Sequence, residues 1–227
     1  LSGLENNLKQ VRERIEKACL KAGRNPADIM LVAVSKTVDI DTIKKAYELG
    51  ITHFGENRVQ ELKQKIPLLP QANWHMIGRL QTNKVKDIVG KVVLIHSLDR
   101  WNLAEEINKR ARALHMNVST LLQINIAGEE QKAGIAPDDV EYFLESVSQL
   151  DHIRITGFMT MAPLLDNPEE ARPVFRELAQ LRQKFRQKSY PNVELKYLSM
   201  GMSQDFEIAI EEGADIVRIG SAIFHGE

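Results

Sequence analysis

Lys36 follows directly on the apolar run Leu31–Val34 and Ser35. An ammonium set against such low-dielectric walls is driven toward the neutral amine. A neutral amine can attack an aldehyde, which is the requirement for Schiff-base chemistry with an aldehyde cofactor or a carbonyl substrate. Two later stretches suit an anion. LSMGMS at 198–203 and VRIGS at 217–221 bring small residues and hydroxyls together as Ser203, Gly220 and Ser221, and Ser203 precedes the helical run Asp205–Ile210. Free N–H groups and the dipole at a helix start favour a phosphate. Arg218 alternates with Val217 and Ile219, so its side chain points inward from an apolar strand and needs a partner. That partner is either a carboxylate such as Glu56 or an acceptor on a bound ring, and the pattern leaves both open. His75 and His96 lie within or near the ends of apolar runs. Each reads as a packed histidine or as a general base.

These residues are positioned by a regular alternation. Short apolar runs at 30–35, 52–55, 73–77, 92–96, 118–125, 153–159, 194–199 and 215–219 are separated by segments of helical spacing such as 40–49, 101–114, 137–149 and 174–186. Continuously apolar, β-rich runs are what strands buried on both faces of a parallel sheet look like. Leu4, Leu8, Val11, Ile15, Ala18 and Ala22 mark an extra amphipathic helix over 2–22, opened by a Ser2/Glu5 capping pattern and ended by Gly23. The expected fold is therefore α/β, a single-domain (β/α)8 barrel of the TIM type over residues 1–227 with that helix filling the eighth outer position. An open doubly wound sheet is the alternative, but no glycine-rich dinucleotide turn supports it. Pro173 requires its helix to start near Arg172 or to kink there. In a barrel the reactive groups sit at the C-terminal ends of the strands, which is where Lys36, Ser203, Arg218, Gly220 and Ser221 fall.

With 30 Lys+Arg against 31 Asp+Glu the net charge is −1, so no global field draws the chain to nucleic acid or to an anionic membrane. An anionic ligand needs a local site. Cys19 is the only cysteine and reads as packing, and no apolar run approaches the ~20 residues that span a bilayer. The amphipathic N-terminus lacks the pattern of a signal peptide. A cytoplasmic location is expected. The basic run Arg182–Lys188 reads as a solvated helix face.

The stretches LVAVSKT at 31–37, FGENRVQE at 54–61, WHMIGRLQTNK at 74–84, GFMTMAP at 157–163, LSMGMSQDFEIAI at 198–210 and VRIGSAIF at 217–224 resemble the pyridoxal 5′-phosphate (PLP) homeostasis protein family, also called the PLP-binding protein or YggS/PROSC group. The resemblance runs over nearly the whole chain. It implies a barrel like the N-terminal domain of alanine racemase and PLP held as an imine on Lys36. It also implies phosphate contacts from Ser203, Gly220 and Ser221, Arg218 facing the pyridine nitrogen and Asn57 in the pocket. The departure is at the end, where His225 stands in place of the glycine expected after Phe224.

An arginine at the ring nitrogen leaves it neutral and weakens the electron sink that PLP catalysis uses. The resemblance implies that the related racemases add a second domain with a catalytic tyrosine. Here Tyr47, Tyr142, Tyr190 and Tyr197 fall in helices, a helix-to-strand loop and a strand interior, not at strand C-termini. The expected role is therefore a non-catalytic PLP carrier that regulates vitamin B6 pools, with PLP-dependent acceptor enzymes as partners and a monomeric state. The alternatives are a small amino-acid racemase with His75 or His96 in place of the tyrosine, and a Schiff-base aldolase acting on a phosphosugar. Lys132 reads as a solvated loop lysine with the option of a second PLP contact.

Overall fold

The structure is a computed structural model that describes residues 3–129 and 131–226. Eight parallel strands close in sequence order into a barrel: β1 (Met30–Val34), β2 (His53–Glu56), β3 (Asn73–Met76), β4 (Leu94–Leu98), β5 (Val118–Gln123), β6 (Ile153–Met159), β7 (Val193–Ser199) and β8 (Ile216–Ile219). β1 closes the ring against β8, with Val32 opposite Arg218. The open-sheet alternative is excluded.

Between the strands run α2 (Ile40–Glu48), α3 (Val59–Lys65), α4 (Val85–Ile88), α5 (Trp101–Ala113), α6 (Val140–Val147), α7 (Arg172–Arg186) and α8 (Phe206–Glu211). α7 begins at Arg172 with Pro173 in its first turn, where a missing N–H costs nothing. The extra helix, α1 (Gly3–Lys21), lies against α8 and the short terminal α9 (Ser221–Phe224). It buries Leu8, Val11, Ile15, Ala18 and Cys19, so the expected stripe and the packing role of Cys19 both hold. Arg14 bonds Glu207 at 2.8 Å, and Arg24 bonds the carbonyls of Ile210 and Ala214. These contacts tie α1 beside α8. Ser2, the expected cap, lies outside the described residues, as does Glu227.

Side chains alternate between two cores. Ala33, Phe54, Trp74, Ile95, Phe158 and Leu198 join the helices in the outer apolar layer, while Val32, Leu94, Leu121, Met159 and Ile216 fill the barrel interior. The basic run on α7 is not uniformly solvated. Arg182 turns inward and bonds Asp215, because its long stem reaches the loop before β8, whereas Lys184 and Arg186 stay exposed.

Candidate functional site

Lys36 sits two residues beyond β1 at the C-terminal mouth of the barrel. Its segment is held from behind by a buried ionic cluster. Lys65 on α3 donates to the carbonyl of Ser35 at 2.8 Å, to Glu56 at 2.7 Å and to Glu61 at 2.8 Å. The Ser35 hydroxyl donates to Glu56 at 2.6 Å. Burial raises the pKa of Glu56 while Lys65 and Ser35 oppose the shift; Glu61 is less buried, and Lys65 holds its carboxyl low against the cost of burial. Thr37, next after Lys36, has φ 63°, a left-handed conformation that strains a β-branched residue. Its N–H reaches the Glu61 carboxylate at 3.4 Å. The cluster therefore holds both neighbours of Lys36. Lys36 itself is exposed. The walls expected around its amine are absent at the chain itself and stand instead across the adjoining cavity.

That cavity, of about 290 Å³, is lined by Val34 of β1 and Lys36 beyond it, by Pro163 and Leu165 from the loop after β6, and by Ser203, Arg218, Gly220 and Ser221. The hydroxyl of Ser203 accepts hydrogen bonds from the N–H groups of Gly220 and Ala222, each at 3.3 Å. Two main-chain donors and two hydroxyls thus converge at one end. A Cβ on Gly220 would stand 3.2 Å from the Val34 carbonyl, so glycine lets β8 approach β1 there. Asp205 is held by the Met202 N–H at 2.6 Å, and its pKa is raised by burial.

Arg218 is buried, donating to Ser199 Oγ at 2.6 Å and to the Thr160 carbonyl at 3.0 Å. Burial pushes it down to about 10, against the nearby charge of Asp205. Glu56, the structural partner weighed from the pattern, does not meet it. Glu56 points outward to Lys65 on α3, whereas Arg218 points into the barrel.

Five of the six expected site residues, Lys36, Ser203, Arg218, Gly220 and Ser221, line this cavity. Asn57 does not. It lines a neighbouring chamber of about 630 Å³ that shares Lys36 and also carries Arg58, Arg79 and Lys132. Lys132 is paired with Glu129 at 2.7 Å.

The profile of the family "Alanine racemase, N-terminal domain" matches residues 1–227. A pyridoxal phosphate homeostasis protein of Aquifex aeolicus is 50% identical over 219 residues, covering 96% of this chain and 95% of the relative. The chain belongs to the pyridoxal phosphate homeostasis protein family. Within it, PipY of Synechococcus elongatus PCC7942, whose structure was solved with PLP bound, superimposes with a TM-score of 0.84 at 34% identity, covering 97% of this chain and 99% of that one. Alanine racemase of Clostridium difficile shares the fold at 14% identity and a TM-score of 0.77, with 99% of this chain aligned to 59% of the racemase.

His75 and His96, the candidate general bases, are buried in the barrel and line neither the cavity nor the chamber. His75 is driven down to about 3 by burial and by His53; His96 is driven well below its ordinary value by burial, His75 and Arg218. Sequence reasoning missed Lys65, Ser199 and His53. The spacing from Glu61 to Lys65 on one helix face was a usable signal for the first; the other two meet their partners only once the barrel closes.

Proposed function

We propose that residues 1–227 act as one PLP-binding barrel domain, a carrier and regulator of PLP, and not as an enzyme. The observation that carries this is one cavity lined by an amine at Lys36, a guanidinium at Arg218 and an end formed by Ser203, Gly220 and Ser221, where the Gly220 and Ala222 N–H groups meet the Ser203 hydroxyl. The donor set suits an aldehyde, a ring acceptor and a phosphate in one molecule.

Lys36 Nζ would condense with the aldehyde, with loss of water, and the Ser203, Gly220 and Ser221 end would take the phosphate. Arg218 would face the pyridine nitrogen. Bound PLP supplies an electron sink, and an arginine donor, unlike a carboxylic acid, leaves that ring neutral and the sink weak.

Turnover also needs a group to move the α-proton. Among the described residues no tyrosine lines the cavity or the chamber, and both inner histidines are buried and bonded to each other. This disfavours the racemase reading. The exposed position of Lys36 supports a cofactor that can be handed to an acceptor enzyme. No helix among the described residues is long and apolar enough to cross a membrane. We read the chain as a cytoplasmic monomer.

Protein mixed with PLP is expected to show a visible Schiff-base band that is absent in Lys36→Ala, with no solvent deuterium entering the α-position of any amino acid. Sustained α-exchange at catalytic rates would replace the carrier reading with the racemase one.

A further inference from the structure

A continuous line of polar side chains crosses the barrel interior. His53 Nδ1 lies 2.9 Å from His75 Nε2, and His75 Nδ1 lies 2.9 Å from His96 Nε2. His96 Nδ1 lies 2.8 Å from Ser199 Oγ, which accepts from Arg218 at 2.6 Å. The line steps along β2, β3 and β4 and then crosses to β7 and β8. Its outer end, His53, is half-buried on a cleft of about 880 Å³ that Met30 and Tyr197 also line, where the strands begin. Its inner end is Arg218, on the cavity with Lys36.

The direction of this line follows from its donors. A guanidinium only donates, so Ser199 Oγ accepts from Arg218, and the proton of this buried hydroxyl finds its acceptor at His96 Nδ1, its other partner among the described residues. His96 must then carry its proton on Nε2 and donate to His75. His75 in turn carries its proton on Nε2 and donates to His53. Burial keeps the two inner rings neutral, with one proton each. Every donor therefore points away from Arg218, and hydrogen bonds in series polarise one another.

Arg218 needs such support. It is buried, and its hydrogen-bond partners among the described residues are a hydroxyl and a carbonyl, with no carboxylate in contact. Apolar side chains fill the neighbouring interior positions, and burying two imidazoles and half of a third beside them is costly unless each is bonded. We infer that His53, His75, His96 and Ser199 form a positioning line that orients Arg218 and supports its charge, and through it sets the hydrogen bond offered to the ring nitrogen of PLP. This rests on the proposed placement of PLP.

Two measurements test it. In the cofactor-free protein, long-range ¹H–¹⁵N NMR is expected to find His75 and His96 as Nε2–H tautomers; an Nδ1–H tautomer at either overturns the inference. In the second, His75→Leu, outside the cavity and two hydrogen bonds from Ser199, is expected to weaken PLP binding about fivefold, the worth of one hydrogen bond. It should also move the visible band, and His75→Asn, which keeps an acceptor for His96, should restore most of both. A folded His75→Leu with unchanged affinity and band, even if less heat-stable, overturns the line and leaves the Lys36 reading intact. Wild-type protein with no visible band overturns both. If His75→Leu does not fold, the tautomers decide.

Discussion

The ammonium of Lys65 lies 2.8 Å from the carbonyl oxygen of Ser35, the residue before Lys36. One side chain on α3 thereby fixes the strand end that presents the Lys36 amine, while bonding Glu56 and Glu61 behind it.

Lys65→Met removes that cation and leaves Glu56 fully buried, with an oxygen, Oε2, that already has no partner. Breaking one side of a buried ion pair costs about 3–5 kcal/mol. Urea unfolding at neutral pH is expected to register a loss of that size, and PLP titration a weaker complex. Unchanged stability would show that the cluster does not hold the β1 end.

Gly78 is packed against the main chain of Asn57, and a Cβ there would stand 2.2 Å from the Asn57 carbonyl oxygen. Main chain cannot swing aside as a side-chain tip can. Gly78→Ala is expected to cost at least about 1–3 kcal/mol, the range for overpacking, and to shift Asn57 at the mouth of the chamber. Gly3→Ala, at a position with nothing within 4 Å, is the matched control and should leave the melting temperature unchanged or raised.

Acid should unfold the barrel through its histidines. His75 titrates near 3 in the folded chain against an ordinary value of 6.5, with burial the main cause. Above pH 6.5 neither state is protonated there, so the group contributes nothing to the pH dependence. As pH falls from 6.5 toward 3, the unfolded chain binds a proton that the folded one refuses, and stability drops by about 1.4 kcal/mol per pH unit for each such histidine. Unfolding curves between pH 7 and 5 are expected to show this slope, and His75→Asn should make it shallower by about one proton. An equal slope in both proteins would contradict the burial of a neutral ring.

How much of this was legible beforehand follows from the physics of each part. Strands such as Met30–Val34 are buried on both faces and stand out as unbroken apolar runs, so the barrel and the C-terminal placement of Lys36 could be read directly. Arg218 could be placed inward by alternation alone. Its partners could not: Ser199 is bonded from the neighbouring strand and the Thr160 carbonyl from the loop after β6, and both contacts depend on ring closure. Glu56 illustrates the same limit. It ends β2, and only the observed position of α3 shows that it turns outward to Lys65.

Ser203→Ala deletes the hydroxyl on which the Gly220 and Ala222 N–H groups converge. Hydrogen bonds to a charged group are worth about 1.5–3 kcal/mol, so PLP is expected to bind roughly 10- to 100-fold more weakly, while free inorganic phosphate competes less well than against the wild type. An unchanged PLP affinity would move the phosphate away from this end of the cavity.

Lys36 is the proposed covalent anchor. Borohydride reduction of the protein saturated with PLP, followed by peptide mass mapping, is expected to find one reduced adduct on the peptide that contains Lys36 and none in Lys36→Ala. An adduct confined to another lysine, such as Lys132, or no adduct at all, would rule out Lys36 as the anchor.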